Sequence, residues 1–196
     1  MKTDTIRLAT IEDTESILAI YAPYVSNSVI TFEYEVPTLD EMYCRIADTL
    51  KEYPYIVAIL DNQIIGYAYA HRQRERAAYQ WNAELSIYLD VDSQGRGIGK
   101  TLYTCLMELL KLQGIVNVYG AVTVPNPASE RLHESLGFRR LGNFVNTGFK
   151  MGKWLDVAWF EKAINDYPAN PEPFLPFPEV EKAAVQWILG QFSHDL

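Results

Sequence analysis

Cysteine is nearly missing from this chain of 196 residues, which has only Cys44 and Cys105. A disulfide framework is thereby excluded, and both cysteines are expected as buried, reduced thiols. Glycine and proline are unremarkable at 11 and 10, which excludes a collagen-like chain and whole-chain disorder of the low-complexity kind. Basic residues are in deficit: 17 Lys and Arg face 25 Asp and Glu, a net charge of -8. A surface of that sign repels phosphate backbones, so nucleic acid is not an expected partner. No apolar run approaches the roughly 18 residues of a membrane helix, and the opening stretch MKTDTIRLAT has no apolar leader core. No membrane association is expected, and the expected compartment is the cytoplasm. The three histidines, His71, His133 and His194, share no ligand spacing, so no metal is expected.

What is present suffices for one packed domain, with 48% hydrophobic and 13% aromatic residues. Residues 5–8 carry a short strand signal. Thr10 to Asp13 forms a capping pattern ahead of Ile17, Leu18, Tyr21 and Tyr24 at helical spacing. A second capping box, Thr38 with Glu41, leads into Met42, Ile46 and Leu50, and the segment 29–33 between the two helices is expected to be extended. Apolar runs at 55–60 and 63–69 flank the turn-prone pair Asp61 and Asn62, the pattern of a hairpin. A strand at 83–89 enters a glycine-rich turn, and a helix follows whose apolar stripe from Ile98 to Leu112 stops at Gly114. Next come a strand at 116–123, a helix capped by Asn126 with Pro127 at its first position, and strand-like alternation over 145–160 broken by Gly148 and Gly152. Beyond Asp166, five prolines between Pro168 and Pro178 precede an amphipathic stretch at 180–192. The division is therefore a domain over 1–163 and a proline-rich linker with a short helix over 164–196. That tail is either a surface arm or a clamp on a partner subunit through Val185, Trp187, Ile188 and Phe192.

The glycine-rich turn carries the chemistry. Backbone amides of a turn that opens a helix converge on its positive end, and without Cβ atoms in the way they seat a pyrophosphate. A Walker A loop would need glycine where Gln94 stands, and a dinucleotide fingerprint would need G-x-G-x-x-G where this chain has G-x-G-x-G. What fits is Gln-Gly-x-Gly-x-Gly after a strand, from Gln94 to Gly99. It resembles the pyrophosphate loop of the GNAT superfamily of acyl-CoA N-acyltransferases. Asn126 to Ser129 and His133 to Phe138 stand at that family's spacing, and the order β-α-α-β-β-β-α-β-α-β-β matches from Ile6 to about Phe160. The resemblance implies an α/β (α+β) fold: a mixed, mostly antiparallel central sheet with a splayed parallel pair of strands and flanking helices. It implies acetyl-CoA as cosubstrate, held by Leu89, Asp90, Val91, Gln94, Gly95, Arg96, Gly97, Ile98, Gly99, Lys100, Asn126 and Ser129. Backbone groups at 88–91 and 122–124 would face the pantetheine arm. Asn126 reads equally as a helix cap.

Two longer stretches, 74–84 and 148–157, resemble one branch of that superfamily, the phosphinothricin and methionine sulfoximine N-acetyltransferases. The likeness covers the chain to about Phe160, and nothing carries onto the tail. It implies an amino-acid acceptor with a carboxylate and a second strongly polar end, which Arg74, Arg76 and Tyr79 are suited to bind. Phe32, Tyr103 and Val157 match acceptor-pocket positions. Glu84 matches the position of the base that frees the amine, and His133 takes a base-or-acid role where many relatives carry a Tyr that protonates the departing thiolate. Read without the resemblance, these arginines are a solvated loop, Glu84 is a strand carboxylate facing water and His133 is a helix-surface histidine. A homodimer is implied as well. Neither cysteine stands in a nucleophile motif, so direct transfer in a ternary complex is expected. The alternatives are a peptide, protein or polyamine amine as acceptor, and a non-catalytic acyl-CoA sensor.

Overall fold

The computed structural model describes residues 4–193, so His194 lies outside the described residues. The chain runs as β1 (Thr5–Leu8), α1 (Thr14–Asn27), α2 (Leu39–Thr49), β2 (Tyr55–Leu60), β3 (Gln63–Arg72), β4 (Asn82–Leu89), α3 (Ile98–Leu112), β5 (Asn117–Val124), α4 (Pro127–Ser135), β6 (Arg139–Lys150), β7 (Lys153–Ala163) and α5 (Lys182–Phe192). One seven-stranded sheet forms in the order β1-β2-β3-β4-β5-β7-β6. Every neighbouring pair is antiparallel except β4 with β5. That parallel pair holds only over Asn82–Glu84 against Asn117–Tyr119, and past Glu84 the two strands part.

Local chemistry explains most boundaries. Asp61 and Asn62 take φ of +52° and +66°, the left-handed turn that a two-residue hairpin requires and that short polar side chains tolerate. Thr38 Oγ1 accepts from Glu41 N at 3.2 Å while Glu41 Oε2 accepts from Thr38 N at 2.7 Å, closing the capping box that starts α2. The period of two along β4 sends Ala83 and Leu85 to one face and Glu84, Ser86 and Tyr88 to the other. On the first face they join α3 and α5 in the larger core; on the second, Tyr55, Val57 and Tyr67 pack with α1 and α2. Glu84 thus lies on the α1 and α2 side of the sheet, at the point where the ladder opens.

Several expectations are corrected. Cys105 is buried, but Cys44 is exposed, because Met42 and Ile46 occupy the inward stripe of α2 and Cys44 lies two residues from each. Segment 29–33 has no strand partner and belongs to an irregular connector over 28–38. The strand alternation over 145–160 is kept, as part of a longer hairpin of β6 with β7, whose turn is Met151 and Gly152 at φ +51° and +74° and whose register slips before Gly148. The tail is neither a loose arm nor free to clamp a partner by the residues expected. Val185, Ile188 and Leu189 of α5, with Phe177 and Val180 before it, are buried in the larger core against α3, and Trp187 alone of the expected quartet faces outward, 67% exposed.

Candidate active site

Three openings lie along β4. The first lies between the glycine turn and α4. Gly95 and Gly97 hold φ of +74° and +88°, a backbone that any Cβ would strain, and Gly97 caps α3. Lys100 and Thr101 donate the first helical amides to Gly97 O at 2.9 and 3.2 Å, leaving those ahead of them without intrahelical acceptors. Backed by the positive end of a 15-residue helix, they form an anion receptor. The cleft has a volume of about 530 Å³, and its walls include Leu89, Gln94, Gly95, Gly97, Gly99, Lys100, Asn126 and Ser129. Asn126 caps α4, its Oδ1 accepting from Ser129 N at 3.2 Å, and it also lines the cleft. Asp90, Val91, Arg96 and Ile98 are not brought to its walls. The Asp90 amide donates to Ile65 O at 2.8 Å, Val91 and Arg96 point to solvent, and Ile98 is buried in the core.

Sequence spacing marks Tyr24 only as helix packing, yet it belongs to this cleft. Its hydroxyl donates to Leu89 O at 2.5 Å and accepts from Gln94 Nε2 at 2.9 Å, tying the end of β4 to the start of the glycine turn. Burial raises its pKa above the ordinary tyrosine value, so it remains a neutral donor.

The second opening is the gap between β4 and β5, lined by Glu84, Ser86, Tyr88, Tyr103, Thr123 and His133 among others. It shares Ile30, Ile87, Asn126 and Ser129 with the cleft, so the two are contiguous. Burial raises the pKa of Glu84, and His71, its partner on β3, works in the opposite direction. Tyr103 donates to Leu85 O at 3.3 Å.

His133 is 2% exposed, stacked on Phe160 at 5.0 Å and edge-on to Tyr103 at 5.6 Å. This corrects the helix-surface alternative. Its Nδ1 lies 2.8 Å from Ser129 O, and since a carbonyl only accepts, Nδ1 carries the proton. Nε2 then holds a lone pair, buried and without a hydrogen-bond partner, against Gly120. Burial lowers the His133 pKa, with the Ser129 hydrogen bond opposing, so the ring is neutral near pH 7 and offers an acceptor at Nε2.

The third opening, about 340 Å³, lies beside the start of the parallel pair and is lined by Arg74, Tyr79, Asn82, Tyr119, Phe144 and Trp159 among others. The Arg74 guanidinium sits 5.7 Å from the centroid of the Tyr79 ring. Asn82 and Tyr119 bracket Glu84: one precedes it by two residues on β4, the other is its partner on β5. Arg76 is exposed and does not line this cavity; Phe32 packs over Gly148, and half-buried Val157 sits on β7 between Thr123 and Phe144. Tyr119, Phe144 and Trp159 come from three strands, and no sequence spacing links them.

The chain matches the acetyltransferase (GNAT) domain family over residues 6–159. It is 33% identical over 175 residues to the phosphinothricin N-acetyltransferase of Streptomyces viridochromogenes, covering 89% of this chain and 95% of that protein. To the L-methionine sulfoximine/L-methionine sulfone acetyltransferase of Pseudomonas paraeruginosa it is 31% identical over 171 residues, covering 86% of this chain and 98% of the relative. The crystal structure of a phosphinothricin acetyltransferase from Sinorhizobium meliloti in complex with acetyl-CoA matches with a TM-score of 0.82 at 35% identity, covering 89% of this chain and 98% of that one.

Proposed function

We propose that this chain, which belongs to the GNAT acetyltransferase family, transfers the acetyl group of acetyl-CoA to the α-amino group of a small amino acid of the phosphinothricin, methionine sulfoximine or methionine sulfone type. One observation carries the reading: the anion-receiving cleft opens into the gap that holds Glu84, through four shared walls. The amides at the head of α3 and Lys100 suit the pyrophosphate, and the contiguous gap leads toward Glu84. The Sinorhizobium relative was crystallised in complex with acetyl-CoA, which supports acetyl-CoA as the group this cleft receives. The group supplies a thioester, whose carbonyl carbon an amine attacks only when unprotonated.

Glu84 accepts the ammonium proton, directly or through one water. Its raised pKa makes the carboxylate a stronger acceptor than an exposed one. His133 also lines this gap, but its Nδ1 is held by Ser129 O and its Nε2 is turned against Gly120, so a base-or-acid role requires the ring to move, and the proton acceptor of this reading is Glu84. A thiolate with a parent pKa near ~8.5 leaves without a strong acid beside it. Arg74 and Tyr79 offer a cation and a hydroxyl to the acceptor's carboxylate or oxidised end, with exposed Arg76 flanking them.

Direct transfer in a ternary complex is supported by both cysteines. Burial pushes the Cys105 thiol up to about 12, and Cys44 lines neither the cleft nor the gap. A homodimer is supported by Val145, Phe149, Met151 and Trp154, apolar side chains left exposed along the β6 and β7 hairpin.

The test is thiol release from acetyl-CoA against phosphinothricin, methionine sulfone, methionine sulfoximine, ordinary amino acids, a peptide and a polyamine. Saturable release with the sulfone or phosphinate compounds is expected. Turnover of the peptide or polyamine alone would replace the acceptor, and acetyl-CoA binding without any turnover would favour a sensor.

A further inference from the structure

Lysine seldom goes inside a protein without a carboxylate paired to it, and the one that acts on Lys150, Glu33, is paired with Arg45 instead. Lys150, the last residue of β6, is 3% exposed, and its ammonium donates to two backbone carbonyls, Val25 O at 2.7 Å and Thr31 O at 2.8 Å. Val25 belongs to the final turn of α1, where carbonyls lack intrahelical donors and the helix end is negative. Thr31 belongs to the connector over 28–38. No strand or helix holds that connector, so side chains must. Thr123 Oγ1 donates to Ile30 O at 3.3 Å, Tyr21 Oη meets Thr31 Oγ1 at 2.8 Å, and Arg45 reaches Glu33 at 2.6 Å. Phe32 lies so close over Gly148 that an added Cβ there would fall 2.1 Å from Cε2 of the ring.

The connector is also a wall of the site. Ile30 lines both the cleft and the gap that holds Glu84. Desolvating a charge is costly, and a neutral side chain could fill the same space; the ammonium is useful here because it can bind two carbonyls from different elements at once.

We propose that Lys150 is a positioning residue for acetyl transfer: its buried ammonium ties the connector over 28–38 to the β6 and β7 hairpin, and so sets Ile30 as a wall shared by the cleft and the gap, with Phe32 seated over Gly148 beside it. The part played by Phe32 rests on the acceptor reading above, whereas the tie itself does not.

The experiment compares wild type, Lys150→Met, Lys150→Arg and Gly148→Ala, using acetyl-CoA with the best acceptor from the panel, and in parallel the rate of chymotryptic cleavage after Phe32 and Tyr34, mapped by mass spectrometry. Lys150→Met is expected to raise the acceptor KM about tenfold while changing kcat less than about threefold, a loss of positioning and not of chemistry. Cleavage in the connector should quicken about tenfold as well. Lys150→Arg, which still donates to two carbonyls, should recover most of both effects. Gly148→Ala dislodges the Phe32 ring without touching the ammonium, should raise the same KM, and serves in place of Lys150→Met where that variant does not fold. Unchanged KM and unchanged cleavage in the folded variant would overturn the proposal, as would a fall in kcat with KM intact. If wild type acetylates no amino acid in the panel, the acceptor reading fails; cleavage rate and acetyl-CoA affinity then decide the tie without it.

Discussion

Glu84→Gln should reveal what the carboxylate does through the pH at which its loss matters. The two side chains have nearly the same shape, so the half-buried position in the gap between β4 and β5 is kept and the ability to take a proton is removed. An acceptor amine with a pKa two units above the assay pH is ~1% neutral, a deficit of ~2.7 kcal/mol that a base at the site can offset. The variant must draw on that neutral fraction, so kcat/KM should fall about a hundredfold near pH 7 and recover about tenfold per pH unit until the amine itself titrates. Wild-type rates should instead follow ionisation of Glu84, displaced upward from its ordinary value by burial. The assay is thiol release from pH 6 to about 10. A ratio of wild type to variant that stays constant across that range would refute proton removal by Glu84. Stability gives an independent check. Because the folded pKa lies above the ordinary 4.5, the proton on Glu84 favours folding below that pH, and this contribution is lost as pH rises through the folded value. Thermal melts should therefore show Glu84→Gln gaining on wild type between pH 4 and pH 8.

Three further outcomes follow from the packing. Tyr24→Phe removes the hydroxyl shared by Leu89 O and Gln94 Nε2, and should raise the acetyl-CoA KM several-fold, about 1 kcal/mol for a lost hydrogen bond, with little change in the acceptor KM; equal shifts in both would count against a cofactor-side role. Gly120→Ala would set a Cβ 2.3 Å from His133 Nε2, so the ring must move, with overpacking of about 1 to 3 kcal/mol in denaturant melts; full kcat in the folded variant would show that the imidazole takes no part in turnover. Removing residues 164–196 takes away Phe177, Val180, Val185, Ile188 and Leu189, exposes the part of the larger core they cover and should cost several kcal/mol, whereas a truncated chain that melts like the full one would show the burial to be dispensable.

The elements and the glycine turn were legible along the chain because each rests on neighbours. Capping at Thr38 and Asn126, left-handed turns at Asn62, Gly97 and Gly114, and the stripe from Ile98 to Leu112 involve residues a few positions apart, and the structure keeps them all. The sequence readings that failed depend on distant partners. Nothing local tells whether a segment such as 29–33 finds a strand beside it, or whether an amphipathic tail turns its apolar face to a second subunit or to α3 of its own chain. The same holds at the site. Glycine spacing marked the cleft, but Tyr24 reaches it from 65 residues away, and the cavity beside Glu84 takes walls from β4, β5, β6 and β7. Alone, the sequence determined the order of elements and the glycine turn at the head of α3, since hydrogen bonds and dihedrals within a few residues decide them, and its motifs carried the family resemblance. The tertiary structure decided which strands part after Glu84, which nitrogen of His133 keeps a lone pair, and that a lysine is buried against two carbonyls, because burial and long-range contacts exist only once the sheet has its order.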